Sequence, residues 1–130
     1  MSSIFSKIIA GEIPSHRIAE SDKFYAFLDI EPIAPGHTLV VPKKEVDYIF
    51  DLDDETLGEL MIFAKKVAKG IQKAIECKRV AVAVIGLEVP HAHIHLVPIE
   101  QEGDLDFKKP RLSYTRDELA RIGDRIREQV

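Results

Sequence analysis

A long amphipathic pattern in the middle of the chain constrains the fold more than any other feature. Apolar residues recur at helical spacing from Leu57 to Ile75, and Asp53 or Asp54 is placed to cap the first turn. The pattern predicts one long helix with a single apolar face. Because a helix of this kind must bury that face, the rest of the chain has to supply a partner surface.

Segments typical of β-strands lie on both sides of this helix. HRIAES, KFYAFLDI and GHTLVVPK, between residues 16 and 43, are rich in aromatic and β-branched residues and are separated by turn residues, which predicts an antiparallel meander. RVAVAVIG, residues 79–86, is nearly all β-branched residues or alanine. We expect from it a strand buried on both faces in the middle of the sheet. HAHIHLVP, residues 91–98, predicts one more strand.

Shorter helices are expected at the two ends. SSIFSKIIAG predicts a short helix that ends at Gly11, and a capping box from Thr115 to Glu118 opens a last helix. We expect this last helix to pack on the sheet for stability, and we favour this role over one in which the helix covers the mouth of a functional site. The fold class is therefore α+β, an antiparallel meander sheet of about five strands with one long helix packed on it.

Composition narrows the class of protein. The chain of 130 residues is 45% hydrophobic and 31% charged, which predicts one domain over 1–130 with a core over 1–100 and a C-terminal extension over 101–130. The net charge of −4 and the scattered basic residues argue against a nucleic-acid polymer as partner. No apolar run is long enough for a membrane span. The single cysteine, Cys77, fits a reducing compartment, so we expect a cytoplasmic location.

Three histidines alternate in the HAHIHLVP segment. Side chains alternate across a strand, so His91, His93 and His95 are expected on one face, with the apolar residues between them toward the core. Imidazoles at this spacing can converge on one small anionic group and supply donors or a nucleophilic nitrogen near neutral pH. The row favours a histidine nucleophile that attacks phosphorus, flanked by imidazoles that bind the phosphate.

Two other interpretations of the histidine row remain open at this point. Histidines can occupy solvent-facing positions of a half-buried strand without any function. A His-x-His pair can also supply two zinc ligands, although no HExxH motif or second cysteine is present to complete such a site. His37, taken alone, would be an ordinary surface residue.

HAHIHLV, residues 91–97, resembles the signature of the histidine triad family, in which histidines alternate with apolar residues. IFSKIIAGEIP at 4–14, FLDIEPIAPGHTLVVPKK at 27–44 and the long helix follow the order seen in the branch of small nucleoside phosphoramidate hydrolases. The resemblance implies that branch's fold and a hydrolase or transferase acting at the α-phosphate of a purine nucleoside monophosphate conjugate. It also implies a covalent nucleotidyl-histidine intermediate, no cofactor, and a homodimer.

The resemblance also implies roles for single residues. His93 matches the nucleophile, and His95 would hydrogen-bond the phosphate oxygens, while His91 and His37 would orient His93 and stabilise charge around it. Asp29 resembles a carboxylate that accepts hydrogen bonds from the ribose hydroxyls, which suits an acceptor-only group. Apolar residues match positions that line the base pocket: Phe5, Ile8, Phe27, Ile30 and Leu39.

This chain departs from the family pattern in two places. Polar neutral donors commonly precede the first histidine, but the loop here is GLEVP, and the carboxylate of Glu88 either points away or selects a cationic leaving group. Many bacterial relatives form a structural zinc site with two cysteines near the start and a histidine after the lysine pair. Because Ser3, Ser6 and Glu45 stand at those positions, we expect no structural metal.

Two further functions are compatible with the same residues. A dinucleoside polyphosphate hydrolase would use the same histidines on a longer substrate. A non-catalytic nucleotide-binding protein would bind a nucleoside monophosphate without turnover that depends on His93.

Overall fold

A computed structural model describes residues 2–130, and its elements form the expected α+β fold. The strands are β1 (Arg17–Glu20), β2 (Phe24–Leu28), β3 (Thr38–Pro42), β4 (Arg79–Ala83) and β5 (Ile94–Ile99). The α-helices are α1 (Ile4–Ile9), α2 (Asp54–Ala74) and α3 (Arg116–Arg127). Short 3-10 turns span Ile49–Asp51 and Glu102–Asp104.

The five strands form one antiparallel sheet in the order β1-β2-β3-β5-β4. The first three strands are the predicted meander. β5 then inserts between β3 and β4, so that His95 pairs with Leu39 on one side and with Ala83 on the other. The histidine segment therefore ends inside the sheet, where neighbouring strands hold its backbone on both sides.

The long helix forms as the sequence predicts. The Asp53 carboxylate accepts a hydrogen bond from the Thr56 N–H group at 3.3 Å and caps α2. Residues one helical turn apart are buried against the sheet: Leu60, Ala64, Val67 and Ile71. Fully burying each large aliphatic side chain stabilises the fold by about 1.5–3 kcal/mol. No helix within residues 2–130 is long and apolar enough to cross a membrane.

The last helix packs on the same face of the sheet as α2. The predicted capping box is present, with Thr115 accepting from the Glu118 N–H group and Glu118 accepting from the Thr115 N–H group. Leu119 and Ile126 of α3 join the core that α2 and the sheet build together. α3 therefore covers the sheet, as expected for it.

The expectation of a central, doubly buried strand for RVAVAVIG is wrong. β4 lies at the edge of the sheet, and Val82, Val84 and Ile85 are 50%, 41% and 49% exposed. A run of β-branched residues occurs both in buried central strands and in edge strands whose apolar side chains are exposed. The sequence pattern therefore cannot distinguish the two positions in a sheet. The result is an uncovered apolar edge.

The opposite face of the sheet holds the histidines. Alternate residues of β2 and β3 point to that face and pack with Phe5 of α1 in a separate apolar cluster: Tyr25, Phe27, Leu39 and Val41. Ala92, Ile94 and Leu96 face α2 instead. Since side chains alternate along an extended chain, the intervening histidines are directed to the face opposite α2.

Candidate active site

Four histidines meet on the face opposite α2. β5 begins only at Ile94, so His91 and His93 precede the strand in an extended segment, yet the predicted alternation is kept. The ring centroids of His93 and His95 are 5.0 Å apart, and those of His37 and His95 are 5.2 Å apart. His37 is completely buried, in contrast to the surface position its isolated sequence context suggested.

The backbone of His91 fixes which nitrogen of His93 is free. His93 Nδ1 lies 2.7 Å from the main-chain oxygen of His91, and because a carbonyl oxygen only accepts, Nδ1 carries the hydrogen. In a neutral ring Nε2 then holds the lone pair. His93 Nε2 has no hydrogen-bond partner within residues 2–130. Every fully buried side-chain nitrogen or oxygen in those residues does have one, so Nε2 must be accessible to solvent.

A second chain of hydrogen bonds fixes the tautomer of His95. The Ile33 N–H group donates to His37 Nδ1 at 3.2 Å, so the hydrogen of neutral His37 is on Nε2. His37 Nε2–H in turn donates to His95 Nδ1 at 3.0 Å. Neutral His95 therefore carries its hydrogen on Nε2, where it can donate to an anionic ligand.

Burial keeps these imidazoles uncharged at neutral pH. Burial and then the neighbouring His95 lower the pKa of His37 to about 3. Burial and then His93 lower the pKa of His95 to about 4. Burial also lowers the pKa of His93, against a smaller opposing effect of its hydrogen bond to His91. A neutral His93 can act as a nucleophile without first losing a proton.

A group of hydroxyl and carboxylate side chains fixes the ring of His91. His91 Nε2–H donates to the Pro42 main-chain oxygen at 2.7 Å, so Nδ1 accepts from the Ser3 hydroxyl, also at 2.7 Å. Ser3 additionally caps α1 by accepting from the Ser6 N–H group at 3.0 Å. The Ser6 hydroxyl donates to Glu45 Oε1 at 2.7 Å. Helix α1 is thereby joined to the histidine segment.

The positions expected to replace a structural zinc site lie together around His91. Ser3, Ser6 and Glu45 offer two hydroxyls and one carboxylate, whereas structural zinc prefers thiolates and imidazoles. The lone pair of His91 Nδ1 is also engaged by the Ser3 hydroxyl. These residues do not fit a structural zinc ion, and hydrogen bonds hold the group together.

A second cluster has metal-ligand residue types but the wrong protonation. Donor atoms of Asp29, His37 and His95 all lie within 4.8 Å of one another. A metal on His37 Nε2 would displace the hydrogen from that atom while the Ile33 N–H group still donates to Nδ1, which demands an anionic imidazolate. The cluster suits a hydrogen-bond relay and does not fit a metal.

Apart from Ile30, the other residues implied by the resemblance lie on the same side of the sheet as the histidines. Asp29 accepts from the Glu31 N–H group at 2.8 Å through Oδ1, while Oδ2 lies 3.7 Å from His37 Nε2. Burial raises the pKa of Asp29. Phe5, Phe27, Leu39 and Ile8 belong to one apolar cluster, and the Phe5 ring lies 5.0 Å from that of His93. Ile30 lies outside this cluster and is 62% exposed.

Glu88 and an open cavity lie near His93. Glu88 is exposed, and its negative charge opposes the loss of a proton from both His93 and Asp29. A cavity of about 540 Å³, lined mostly by apolar residues of α2, the first 3-10 turn and residues 84–87, opens beside His93. This side of the histidines is therefore open enough to admit a small molecule.

Sequence reasoning missed two residues of the C-terminal segment. The Phe107 ring packs at 4.7 Å from that of His95 and at 6.1 Å from that of His37. The Arg111 guanidinium lies 5.7 Å from the centre of the Phe107 ring and 3.9 Å from Asp29 Oδ2. Both stand in a polar stretch without helical or strand periodicity, so no local pattern signalled their position.

Comparison with known proteins agrees with this geometry. A model described as the HIT domain matches residues 10–102, and the chain belongs to this histidine triad family. The adenosine 5'-monophosphoramidase HNT1 of Saccharomyces cerevisiae is 40% identical to this chain. The matched region covers 76% of this chain and 63% of the length of that protein. The enzyme of the same name from Candida albicans is 32% identical over 99% of this chain and 91% of its own length.

Solved structures share the fold over almost the whole chain. A Hit-like protein from Bartonella henselae superposes with a TM-score of 0.87 at 34% identity and covers 99% of this chain and 96% of its own. A zinc-bound histidine triad family protein from Mycobacterium smegmatis superposes with a TM-score of 0.83 at 29% identity and covers 99% of this chain and 95% of its own. The predicted fold class and family are confirmed.

Proposed function

We propose that the protein hydrolyses a nucleoside 5'-phosphoramidate, or a related nucleotide conjugate, through a covalent nucleotidyl intermediate on His93. The observation that carries the proposal is the tautomer of His93, because its Nδ1–H group is held by the His91 carbonyl and its Nε2 lone pair is left free. The similarity to adenosine 5'-monophosphoramidases supports the choice of substrate class.

The reaction consists of two displacements at phosphorus. The His93 Nε2 lone pair forms a bond to the α-phosphorus while the P–N bond to the amine breaks, and the amine takes up a proton from water. A water molecule then attacks the phosphorus, loses its proton to solvent, and releases the nucleoside monophosphate as the P–Nε2 bond breaks. Neither displacement requires a metal or a redox cofactor.

The surrounding groups suit the needs of this chemistry. His95 Nε2–H donates to a phosphate oxygen as charge develops, and His37 keeps that hydrogen on Nε2. Asp29 Oδ2 accepts hydrogen bonds from the ribose hydroxyls. The apolar cluster of Phe5, Phe27 and Leu39 lies on the same face and receives the base.

Mass spectrometry of the protein quenched during reaction with an adenosine 5'-phosphoramidate tests the proposal. We expect a mass increase of one adenylyl group in the wild type and none in His93→Ala. Faster turnover of a diadenosine polyphosphate than of the phosphoramidate would favour the polyphosphate hydrolase instead. Absence of both adduct and turnover, despite AMP binding, would overturn the hydrolase proposal in favour of a non-catalytic nucleotide-binding protein.

We also propose a homodimer that forms through the apolar edge of the sheet. Met61 and Ile62 of α2 and Val82 of β4 are 44%, 60% and 50% exposed and line one continuous groove. An open antiparallel edge of this kind can pair with a second copy about a two-fold axis. Light scattering should give twice the chain mass, and a monomer at micromolar concentration would contradict the dimer.

Two broader expectations complete the proposal. The lone, half-buried Cys77 fits a reducing compartment, so we infer a cytoplasmic location that cell fractionation tests. A single domain over residues 1–130 stays a prediction, and one cooperative unfolding transition seen by two probes would support it.

A further inference from the structure

The histidines near the expected phosphate position carry no positive charge at neutral pH. Burial lowers the pKa of His37 to about 3 and that of His95 to about 4. The nearest carboxylates, Asp29 and Glu88, add negative charge. A nucleotide phosphate placed among these groups would lose hydration without gaining a cation, which is costly. The site therefore needs a positive charge from elsewhere in the chain.

Arg111 is a cation beside this cluster, with Nη1 3.9 Å from Asp29 Oδ2. Its positive charge also lowers the pKa of His37 and of His95, and it opposes the rise that burial causes in the pKa of Asp29. Its guanidinium lies 5.7 Å from the centre of the Phe107 ring, which itself packs 4.7 Å from the His95 ring. The two residues follow β5 on the C-terminal segment, so this segment adds a positive charge beside the histidines.

The position of Arg111 is fixed while part of its side chain stays accessible. Nη1 donates to the Glu31 main-chain oxygen at 2.9 Å, and the next residue, Leu112, donates its N–H group to the Pro32 oxygen at 2.8 Å. The Arg111 side chain is 33% exposed. A guanidinium has five N–H donors in a planar fork that suits phosphate, so donors remain for a ligand.

We propose that Arg111 contacts the α-phosphate of the bound nucleotide and supplies the positive charge of the site. The inference rests on the proposed function for the identity of the ligand as a nucleotide. Its distinctive consequence is that Arg111 recognises the phosphate and not the nucleoside. A purely structural role, in which Arg111 only anchors the C-terminal segment to Glu31, predicts no such distinction.

Calorimetric titration with AMP and with adenosine tests this. Replacing Arg111→Gln should weaken AMP binding about 10- to 100-fold, the usual range for a hydrogen bond to a charged group, while adenosine affinity changes less than about twofold. Arg111→Lys should retain part of the AMP affinity, and added salt should weaken AMP binding more in the wild type than in Arg111→Gln. Arg116→Gln, at the exposed start of α3, serves as the matched control.

Other outcomes would overturn the inference. Unchanged AMP affinity in Arg111→Gln would exclude the contact, and an equal loss for AMP and adenosine would show that Arg111 only shapes the pocket. A selective loss for AMP without an adenylyl adduct on His93 would keep the Arg111 contact and reject the hydrolase. An adenylyl adduct on His93 in the wild type, together with undiminished AMP affinity in Arg111→Gln, would keep the hydrolase and reject the Arg111 contact. A wild type that binds neither AMP nor adenosine would reject both proposals.

Discussion

His37 Nε2 lies 3.0 Å from His95 Nδ1, and this contact joins the loop before β3 to the middle of β5. Because the Ile33 N–H group occupies the other nitrogen of His37, the hydrogen bond can run in only one direction between neutral rings. A main-chain amide thus determines, two rings away, that His95 presents an N–H group to a ligand. The relay gives a structural reason for the complete burial of His37.

Interrupting this relay should reduce turnover more than substrate binding. His37→Leu removes the donor to His95 Nδ1, so the hydrogen of His95 can move to that atom and the phosphate loses its donor. We expect kcat to fall about 100-fold, as for loss of one donor to developing charge, with a smaller change in KM. His37→Gln should retain more activity, since an amide can accept from Ile33 and donate to His95.

Steady-state kinetics of these two variants, with His16→Gln as a control outside the cluster, check this prediction. Equal activity of His37→Leu and His37→Gln would contradict the relay, because only the glutamine side chain can hydrogen-bond at both ends. Circular dichroism of both variants separates a catalytic loss from a folding defect.

The free energy of unfolding should decrease as the pH falls from 7 to 5. The pKa values of about 3 for His37 and about 4 for His95 lie below the ordinary histidine value, so the unfolded chain binds more protons in this window. Stability is therefore full above about pH 6.5 and is lost on acidification, by up to about 1.4 kcal/mol per pH unit for each histidine. Asp29, whose pKa is raised, opposes this weakly.

Urea unfolding at pH 7, 6 and 5 measures this dependence before most unfolded-state carboxylates titrate. His37→Gln should give a shallower slope than the wild type because one buried histidine is gone. A stability that is constant between pH 7 and 5 would show that these rings are protonated to the same degree in both states.

The fold followed from local signals to a large extent. The capping box at Thr115 and the apolar spacing of α2 are short-range patterns, and both helices begin where those patterns place them. The position of β4 depends instead on which strand lies beside it, and an apolar run carries no such information. Arg111 and Phe107 reach the histidines through long-range packing, so their neighbours in sequence gave no indication.

Ser3 combines a local role with a long-range role. Its hydroxyl caps α1 and also donates to His91 Nδ1, a contact that spans 88 positions of the chain. Ser3→Ala should cost about 1 kcal/mol for the cap alone and more for the buried His91 nitrogen left without a donor. Ser3→Thr should restore both, and urea unfolding of the two variants, with exposed Ser2→Ala as control, measures the difference.

The apolar edge can be tested by introducing charge. Val82→Lys places an ammonium on the edge strand, where a second copy of β4 would have to bury it, so the proposed dimer should dissociate. Lys69→Glu, on the solvent side of α2, is an exposed charge change for comparison. Light scattering that gives the same mass for wild type and Val82→Lys would argue against this edge as the interface.

The hydrogen-bonded group around His91 should become a zinc site after three substitutions. In the triple variant Ser3→Cys, Ser6→Cys, Glu45→His, two thiolates and an imidazole would join His91 Nδ1, whose Nε2–H group is already oriented by the Pro42 oxygen. The present separation of 3.4 Å between the two serine hydroxyls is close to the spacing of neighbouring tetrahedral ligands, roughly 3.5 Å, while the atoms at positions 3 and 91, now 2.7 Å apart, would have to move apart to reach it. We expect one zinc per chain by elemental analysis of the variant and none in the wild type, together with a higher melting temperature that a chelator reverses. Stoichiometric zinc in the wild type would show that serine hydroxyls and Glu45 suffice as ligands, and would overturn the conclusion that hydrogen bonds alone hold His91 in place.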